Sequence, residues 1–376
     1  MMMQSFPALD RVSTPPPSGL DLLWTPVGRA IDTTVMRAVR IVVERALIPS
    51  EQDVTALRRS ADRLLDPALL ENPKRFFAFL DGPPPPAKVE NLDRRAVAGG
   101  GVYRRTLITE YLPYATSEQT KNDASPYART QHVLFEHWVH EDDPPRGTVI
   151  ALHGFAMGRP GIDAIALFAR QWYERGLDVV LLTLPEHGAR APSSSRFSGE
   201  CFAVPHVDRL GEAVRTAIHE IFALKGWLRE QGDAPVGLLG LSLGGYLTAL
   251  AVGLSDDFDF AIPIVPPACI GDLAWRVFRG TSHYKRGGPA AMSAAELRAG
   301  FRAHSPLAHP SKIAKERLLI VAGRGDRVVP PEHPTALWEH WDRPAIHWFG
   351  GSHLAPFGRA RVVDAITLHL RKIEVL

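Results

Sequence analysis

Two cysteines in 376 residues, Cys201 and Cys269, are too few for a disulfide framework. They form neither a CxxC pair nor a Cys/His finger, which excludes a structural metal knot of that kind and leaves only a single bridge between them open. Neither sign of charge dominates: 43 Lys and Arg stand against 41 Asp and Glu, a formal net charge of +2. Such a balance provides no field for gripping nucleic acid or an acidic surface. The opening residues, MMMQSFPALDRVSTPPPSGLDLLW, lack a basic segment followed by an apolar stretch of about 7–15 residues, so no secretory signal is read and a cytoplasmic location is expected. Internal repeats are missing as well.

Long uncharged runs are scarce, and one stands out. LLGLSLGGYLTALAVGL (238–254), extended back to Pro235, is a 20-residue uncharged segment, about the length that crosses a bilayer. It lies between charged amphipathic helices and parallel-type strands, where a lone span makes no topological sense. It divides instead into a strand, VGLLGL, and a helix, LGGYLTALAVGL. Between them Gly240-Leu241-Ser242-Leu243-Gly244 forms the G-x-S-x-G of a nucleophile elbow. Such a turn exposes the serine Oγ at the carboxyl edge of a sheet and aims a helix N-terminus at any oxyanion formed there.

The surrounding pattern supports that division. From about residue 100, strands such as GTVIALHG, LDVVLLTL, FDFAIPIVPPA and RLLIVAG alternate with helices, including 162–176, 207–232 and the closing RARVVDAITLHLRKI. Strands alternating with helices of about 10–15 residues define a parallel α/β sheet, and continuous apolar strands fit one covered on both faces. VYRRTLITEYL and HVLFEHWVH are read as an antiparallel pair. Residues 1–90 are read as a helical N-terminal extension with a proline-rich linker at 81–90, and residues 91–376 as the main domain. In the extension, Val35, Val39, Val42, Val43, Ala46 and Leu47 form an apolar helical stripe expected to pack on something, and Ser50 caps a second helix with Asp53 three residues on.

A serine hydroxyl needs a base, and the base an orienting acid, in the chain order serine, acid, histidine. Asp326 follows the strand RLLIVAG, 84 residues past Ser242, and His353 follows AIHWFGG 27 residues later. Both loops open at the sheet edge where ligands of open α/β sheets bind. Asp272 is the alternative acid. His333, His340 and His347 lie seven apart, but the first two are read as helix-surface residues and the third as alternating along a strand, so no metal site is assigned. Two backbone donors for an oxyanion are expected, the N–H of Leu243 and the N–H of Phe155, with His153 bracing the loop.

LHGFAMG (152–158), TLPEHGAR (183–190), GLSLGG (240–245), GRGDRVVP (323–330) and GGSHL (350–354), in that order, resemble the motifs of the α/β-hydrolase superfamily. The resemblance covers roughly residues 100–376. It departs at Glu186-His187-Gly188, where the family carries a G-H-G-like turn. It implies a mostly parallel sheet of about eight strands flanked by helices, with a cap insertion at about 269–310. It also implies acyl transfer to water through an acyl-enzyme on Ser242, with His353 as base, Asp326 as its partner and no cofactor. A small-molecule carboxylic ester is the expected substrate. Leu273, Trp275, Val277 and Phe278 in the cap favour a lipid-like or medium-chain acyl group if they fold over the site, and otherwise pack the cap on the core. Arg276, Arg279, Lys285 and Arg286 make the cap basic and are read as a solvated face, with recruitment of an anionic headgroup as the alternative. A thioesterase or amidase with the same triad, a non-catalytic binding protein and a membrane-surface protein docking by its N-terminal helix are the alternatives. The oligomeric state stays open.

Overall fold

In the central strands every side chain has somewhere dry to go. Gly147–Leu152 (β4), Leu177–Leu182 (β5) and Leu319–Gly323 (β8) are buried at every position. Val236–Leu241 (β6) is buried except at its last residue, and Ala261–Ile264 (β7) completes the centre. The computed structural model describes residues 19–42, 55, 58–59, 61–62, 64–82, 87–111, 113–114, 132–200, 207–282 and 292–376. Within them Ala87–Val97 (β1), Gly100–Thr109 (β2), His132–His140 (β3) and Ala345–Phe349 (β9) extend the sheet to nine strands in the order β1-β2-β3-β5-β4-β6-β7-β8-β9. The β1-β2-β3-β5 pairings are antiparallel, and those from β5 through β4 to β9 are parallel.

Alternation along the strands splits the core into two layers. Ile150, Leu152, Val180, Leu182 and Leu238 face one way, onto helices Val207–Gln231 (α4) and Leu243–Leu254 (α5). Val149, Ala151, Val179, Leu181 and Leu239 face the other way. That side is covered by the short helices Pro160–Ala166 (α2) and Ala169–Tyr173 (α3) and by Arg359–Lys372 (α9). Among the described residues no helix is long and apolar enough to cross a membrane. The segment 235–254 is thus a buried strand and helix joined by a turn.

Several expectations shift. The sheet gains β1, whose first residue, Ala87, lies inside the stretch read as linker; the prolines at 83–86 lie outside the described residues. β1 is a sheet edge, mostly exposed and carrying Lys88, Glu90, Asp93, Arg94 and Arg95, charges that discourage edge-to-edge pairing. Leu64, Leu69, Phe76 and Phe77 belong to the main core, and Arg215 of α4 donates to the Phe76 carbonyl at 2.7 Å. That part of the N-terminal segment is therefore built into the domain. Asp21–Val42 (α1) is helical as read, yet Val35 and Val39 remain 37% and 36% exposed, and its buried residues are Thr25, Gly28 and Asp32. Val43, Ala46, Leu47, Ser50 and Asp53 lie outside the described residues, as does Cys201; Cys269 is a buried free thiol.

The segment read as a cap carries helices Ile270–Phe278 (α6) and Ala294–Gly300 (α7). Trp275, Val277 and Phe278 are partly buried against the main core, as the packing reading expects, and Arg276 and Arg279 are exposed. Lys285 and Arg286 lie outside the described residues. His333, on Glu332–His340 (α8), is a correction: it is buried, not on the surface, and its Nδ1 accepts the Ala268 N–H at 3.3 Å. Burial pulls its imidazole down to about 3, so it sits in the core as a neutral acceptor.

Candidate active site

Ser242 stands between β6 and α5 with φ 55° and ψ −110°, a left-handed backbone that a residue with a side chain adopts only when its surroundings impose it. They do. Its N–H donates to the Ile264 carbonyl of β7 at 2.8 Å, and its carbonyl accepts the Tyr246 N–H of α5 at 2.9 Å. A Cβ on Gly240 would overlap the Gly244 carbonyl, and one on Gly244 would overlap the Leu152 carbonyl at the end of β4. The two flanking glycines therefore let strand, turn and helix close up around the serine.

Asp326 and His353 come from the loops after β8 and β9, and these loops are tied together. The Gly325 N–H donates to the Gly351 carbonyl at 2.7 Å, and Arg324 N–H to the Phe349 carbonyl at 3.1 Å. The result is a continuous chain: Ser242 Oγ to His353 Nε2 at 2.9 Å, and His353 Nδ1 to Asp326 Oδ2 at 2.7 Å. Asp326 is 1% exposed, and its second oxygen accepts the N–H groups of Val328 and Val329 at 2.9 and 2.7 Å. Burial alone would pull the His353 imidazole down, but the Asp326 charge, its hydrogen bond and a further negative charge at Asp32 outweigh it and raise it above the ordinary imidazole value. Burial also pushes the Asp326 carboxyl above its ordinary value, against the attraction of His353.

The loop after β4 comes up beside this chain. The Cβ position of Gly154 is 3.6 Å from Ser242 Cβ. Phe155 occupies the following turn with its ring 42% exposed, and Leu243 is the first residue of α5. His153 is buried beneath: Nε2 accepts the Leu184 N–H at 3.0 Å, so Nδ1 carries the proton and donates to the Gly154 carbonyl at 2.8 Å. Burial brings its imidazole down to about 3, which makes it a neutral brace. In the turn after β5 Glu186 adopts φ 61° and pairs with Arg209 at 3.1 Å.

Asp272 is not part of the chain. It pairs with Arg298 of α7 at 2.6 Å, well inside the α6–α7 contact. Asp272→Asn is expected to leave kcat within about threefold of wild type while costing about 1.5–3 kcal/mol of stability, the usual worth of a hydrogen bond to a charged group. Urea unfolding beside an activity assay separates the two effects, and a collapse of kcat at unchanged stability would contradict this reading.

One residue at the site left no mark in the motif pattern. Asp32 of α1, 0% exposed, accepts from Ser352 Oγ at 2.8 Å, Arg327 N–H at 2.9 Å, His353 N–H at 3.0 Å and Leu354 N–H at 3.2 Å. The available signal is its place in line with Thr25 and Gly28, a face of small and polar residues on α1.

The sheet order, the elbow and the loop-borne Asp and His define a class. This chain belongs to the α/β-hydrolase superfamily. The "prolyl oligopeptidase family" model matches residues 218–346, and that of "alpha/beta hydrolase domain containing 18" matches residues 135–271. It also shares a family with the "Uncharacterized protein Rv2627c" of Mycobacterium tuberculosis, to which it is 33% identical over 303 residues, 77% of this chain and 67% of the relative. Among solved structures, an acetyl xylan esterase from Paenibacillus sp. R4 superposes with a TM-score of 0.57 at 14% identity, over 81% of this chain and 92% of that one. Acetyl xylan esterase 1 from Thermoanaerobacterium sp. JW/SL YS485 gives 0.56 at 13% identity, over 84% and 97%. At such identities the likeness is one of fold.

Proposed function

We propose that this hydrolase-fold protein is a serine esterase that cleaves small-molecule carboxylic esters through an acyl-enzyme on Ser242. The observation that carries the reading is the Ser242–His353–Asp326 chain, with both links at 2.9 Å or less, on a strained elbow. Ser242 Oγ attacks the ester carbonyl as its proton passes to His353 Nε2. The oxyanion forms between the N–H groups of Leu243 and Phe155. The C–O bond to the alcohol then breaks, and the alcohol leaves with the proton from Nε2. Water repeats the sequence on the acyl-serine: His353 takes its proton, the acid is released and Ser242 regains its hydrogen. Asp326 holds the imidazole and stabilises its cation, and no cofactor enters any step.

Phe155, Phe197 and Leu354 are 42%, 37% and 50% exposed around the reacting groups, and the Phe155 and Phe197 rings lie 6.3 Å apart. An apolar rim of this kind favours a lipid-like or medium-chain acyl group over acetate. A fluorophosphonate probe followed by intact mass tests the nucleophile: one adduct per wild-type chain and none on Ser242→Ala is expected. Folded wild-type protein that takes no label would overturn the reading. p-Nitrophenyl esters from acetate to palmitate test the acyl preference, expected to peak at medium length; a kcat/KM highest for acetate, or higher on the matching anilide, would replace it with an acetyl-ester or amide reading.

A further inference from the structure

Helix α1 lies directly on the two loops that carry Asp326 and His353. A Cβ on Gly28 would come within 2.7 Å of the Gly351 carbonyl carbon and the Ser352 nitrogen, and one on Gly325 within 2.6 Å of the Thr25 carbonyl. Asp21 pairs with Arg324 at 3.3 Å, and Trp24 stacks on Phe357 with ring centres 4.5 Å apart. Backbone-to-backbone approach on this scale leaves little play between helix and loops.

At the centre of the contact, both oxygens of Asp32 are filled from the loops alone. Oδ1 takes Ser352 Oγ and Leu354 N–H; Oδ2 takes Arg327 N–H and His353 N–H. Three of these donors are backbone groups of His353 itself or of the residue just after Asp326 or His353. Among the described residues Asp32 forms no salt bridge. A fully buried carboxylate with no cation beside it is costly to keep and needs a reason to be there. We infer that Asp32 is a positioning residue: one carboxylate, brought from α1, bridges the acid loop to the histidine loop and fixes the separation at which His353 reaches both Asp326 and Ser242. The inference rests on the reading of those three residues as the reacting groups.

The same carboxylate also acts by its charge. Among the described residues the charged groups that bear on His353 are Asp326 from the loop after β8 and Asp32 from α1; Asp21 and Arg324 pair with each other, and Arg29 and Arg327 are exposed to solvent. Asp32 therefore favours the imidazolium that forms when Ser242 gives up its proton. Its removal shifts the His353 titration to lower pH, the opposite of what losing a cation would do.

The test uses the full chain, with Asp32→Asn as the main variant and Leu23→Ser, on the exposed side of the same helix, as the control. The readouts are the fluorophosphonate labelling rate, kcat and KM on a p-nitrophenyl ester across the pH range, and the NMR titration of His353. Asp32→Asn is expected to lower kcat and the labelling rate by about 10–100-fold, as small misplacements of reacting groups do. KM should hardly change, the acidic limb should move to lower pH, and Leu23→Ser should behave as wild type. Labelling at the wild-type rate with an unmoved limb would overturn the inference. If Asp32→Asn does not fold, Ser352→Ala and Gly28→Ala decide: the first removes one donor and the second lifts the helix, and wild-type kcat in both would also overturn it. If the wild type takes no label, the esterase reading fails by itself. The His353 titration then judges Asp32 independently, a lower value in Asp32→Asn supporting the bridge and an unchanged one refuting it.

Discussion

Alanine at His353 is expected to lower kcat by about 10^4–10^6-fold with KM little altered, because the group removed acts on the transition state and not on substrate binding. In the structure the Ser242 hydroxyl donates to His353 Nε2 at 2.9 Å, and among the described residues neither of the two imidazoles beside the loop after β4 stands in its place. His153 has its Nε2 filled by the Leu184 N–H, and burial brings it down to about 3. His187 is likewise buried and brought down to about 4. His353 can accept a proton only when neutral, and its imidazole is raised from the ordinary value, so wild-type kcat/KM should fall as the pH drops through a value above that of an ordinary imidazole. Initial rates on a p-nitrophenyl ester between pH 5 and 9 read both effects. A variant that keeps more than a tenth of wild-type kcat would place the base elsewhere.

The second large effect concerns one methyl group. Gly→Ala inside a helix ordinarily stabilises it by about 1 kcal/mol. At Gly244, on the first turn of α5, the sign should reverse. The added carbon would overlap the Leu152 carbonyl oxygen and stand 2.5 Å from its carbon, and both are backbone of a fully buried strand. Relief requires α5 to back away from β4, and forced overpacking of this kind costs about 1–3 kcal/mol or more. Because Leu152 immediately precedes His153 and Gly154, the same movement would spread the elbow from the loop that holds Phe155. Gly244→Ala is therefore expected to lower the urea midpoint clearly and to label with fluorophosphonate at under a hundredth of the wild-type rate. Wild-type stability in this variant would mean that α5 does not seat on β4 as described.

The parts of the molecule that could be read in advance share a physical cause. VIAL, VVLLTL, VGLLGL and LLIVAG are continuous apolar runs because both faces of a central parallel strand are covered, and that pattern is local in sequence. Each strand ends in a loop at one edge, so the order Ser242, Asp326, His353 followed from order alone. What escaped was held by long-range contact without an apolar signature. Asp32 meets its partners across about 300 residues through hydrogen bonds, and the buried face of its helix is a threonine, a glycine and a carboxylate. Val35 and Val39 read as part of an apolar stripe, yet both are about one-third exposed. His333 shows the converse: a polar residue on a helix reads as surface until a backbone N–H 65 residues away supplies its bond. β1 began inside a proline-rich stretch, where strand propensity is weakest, because pairing with β2 decides an edge strand's start.

The bridge from Asp32 to Ser352 spans 320 positions, so it is a contact that synthesis must postpone. At about 5–20 residues per second on a ribosome, α1 waits tens of seconds for the loop it will hold. The elbow and the strands through β8 can be in place before then, whereas β9 is made just ahead of Ser352 and α9 after it. The seat that Asp32 offers is thus filled late, after the elbow and most of the sheet have been made.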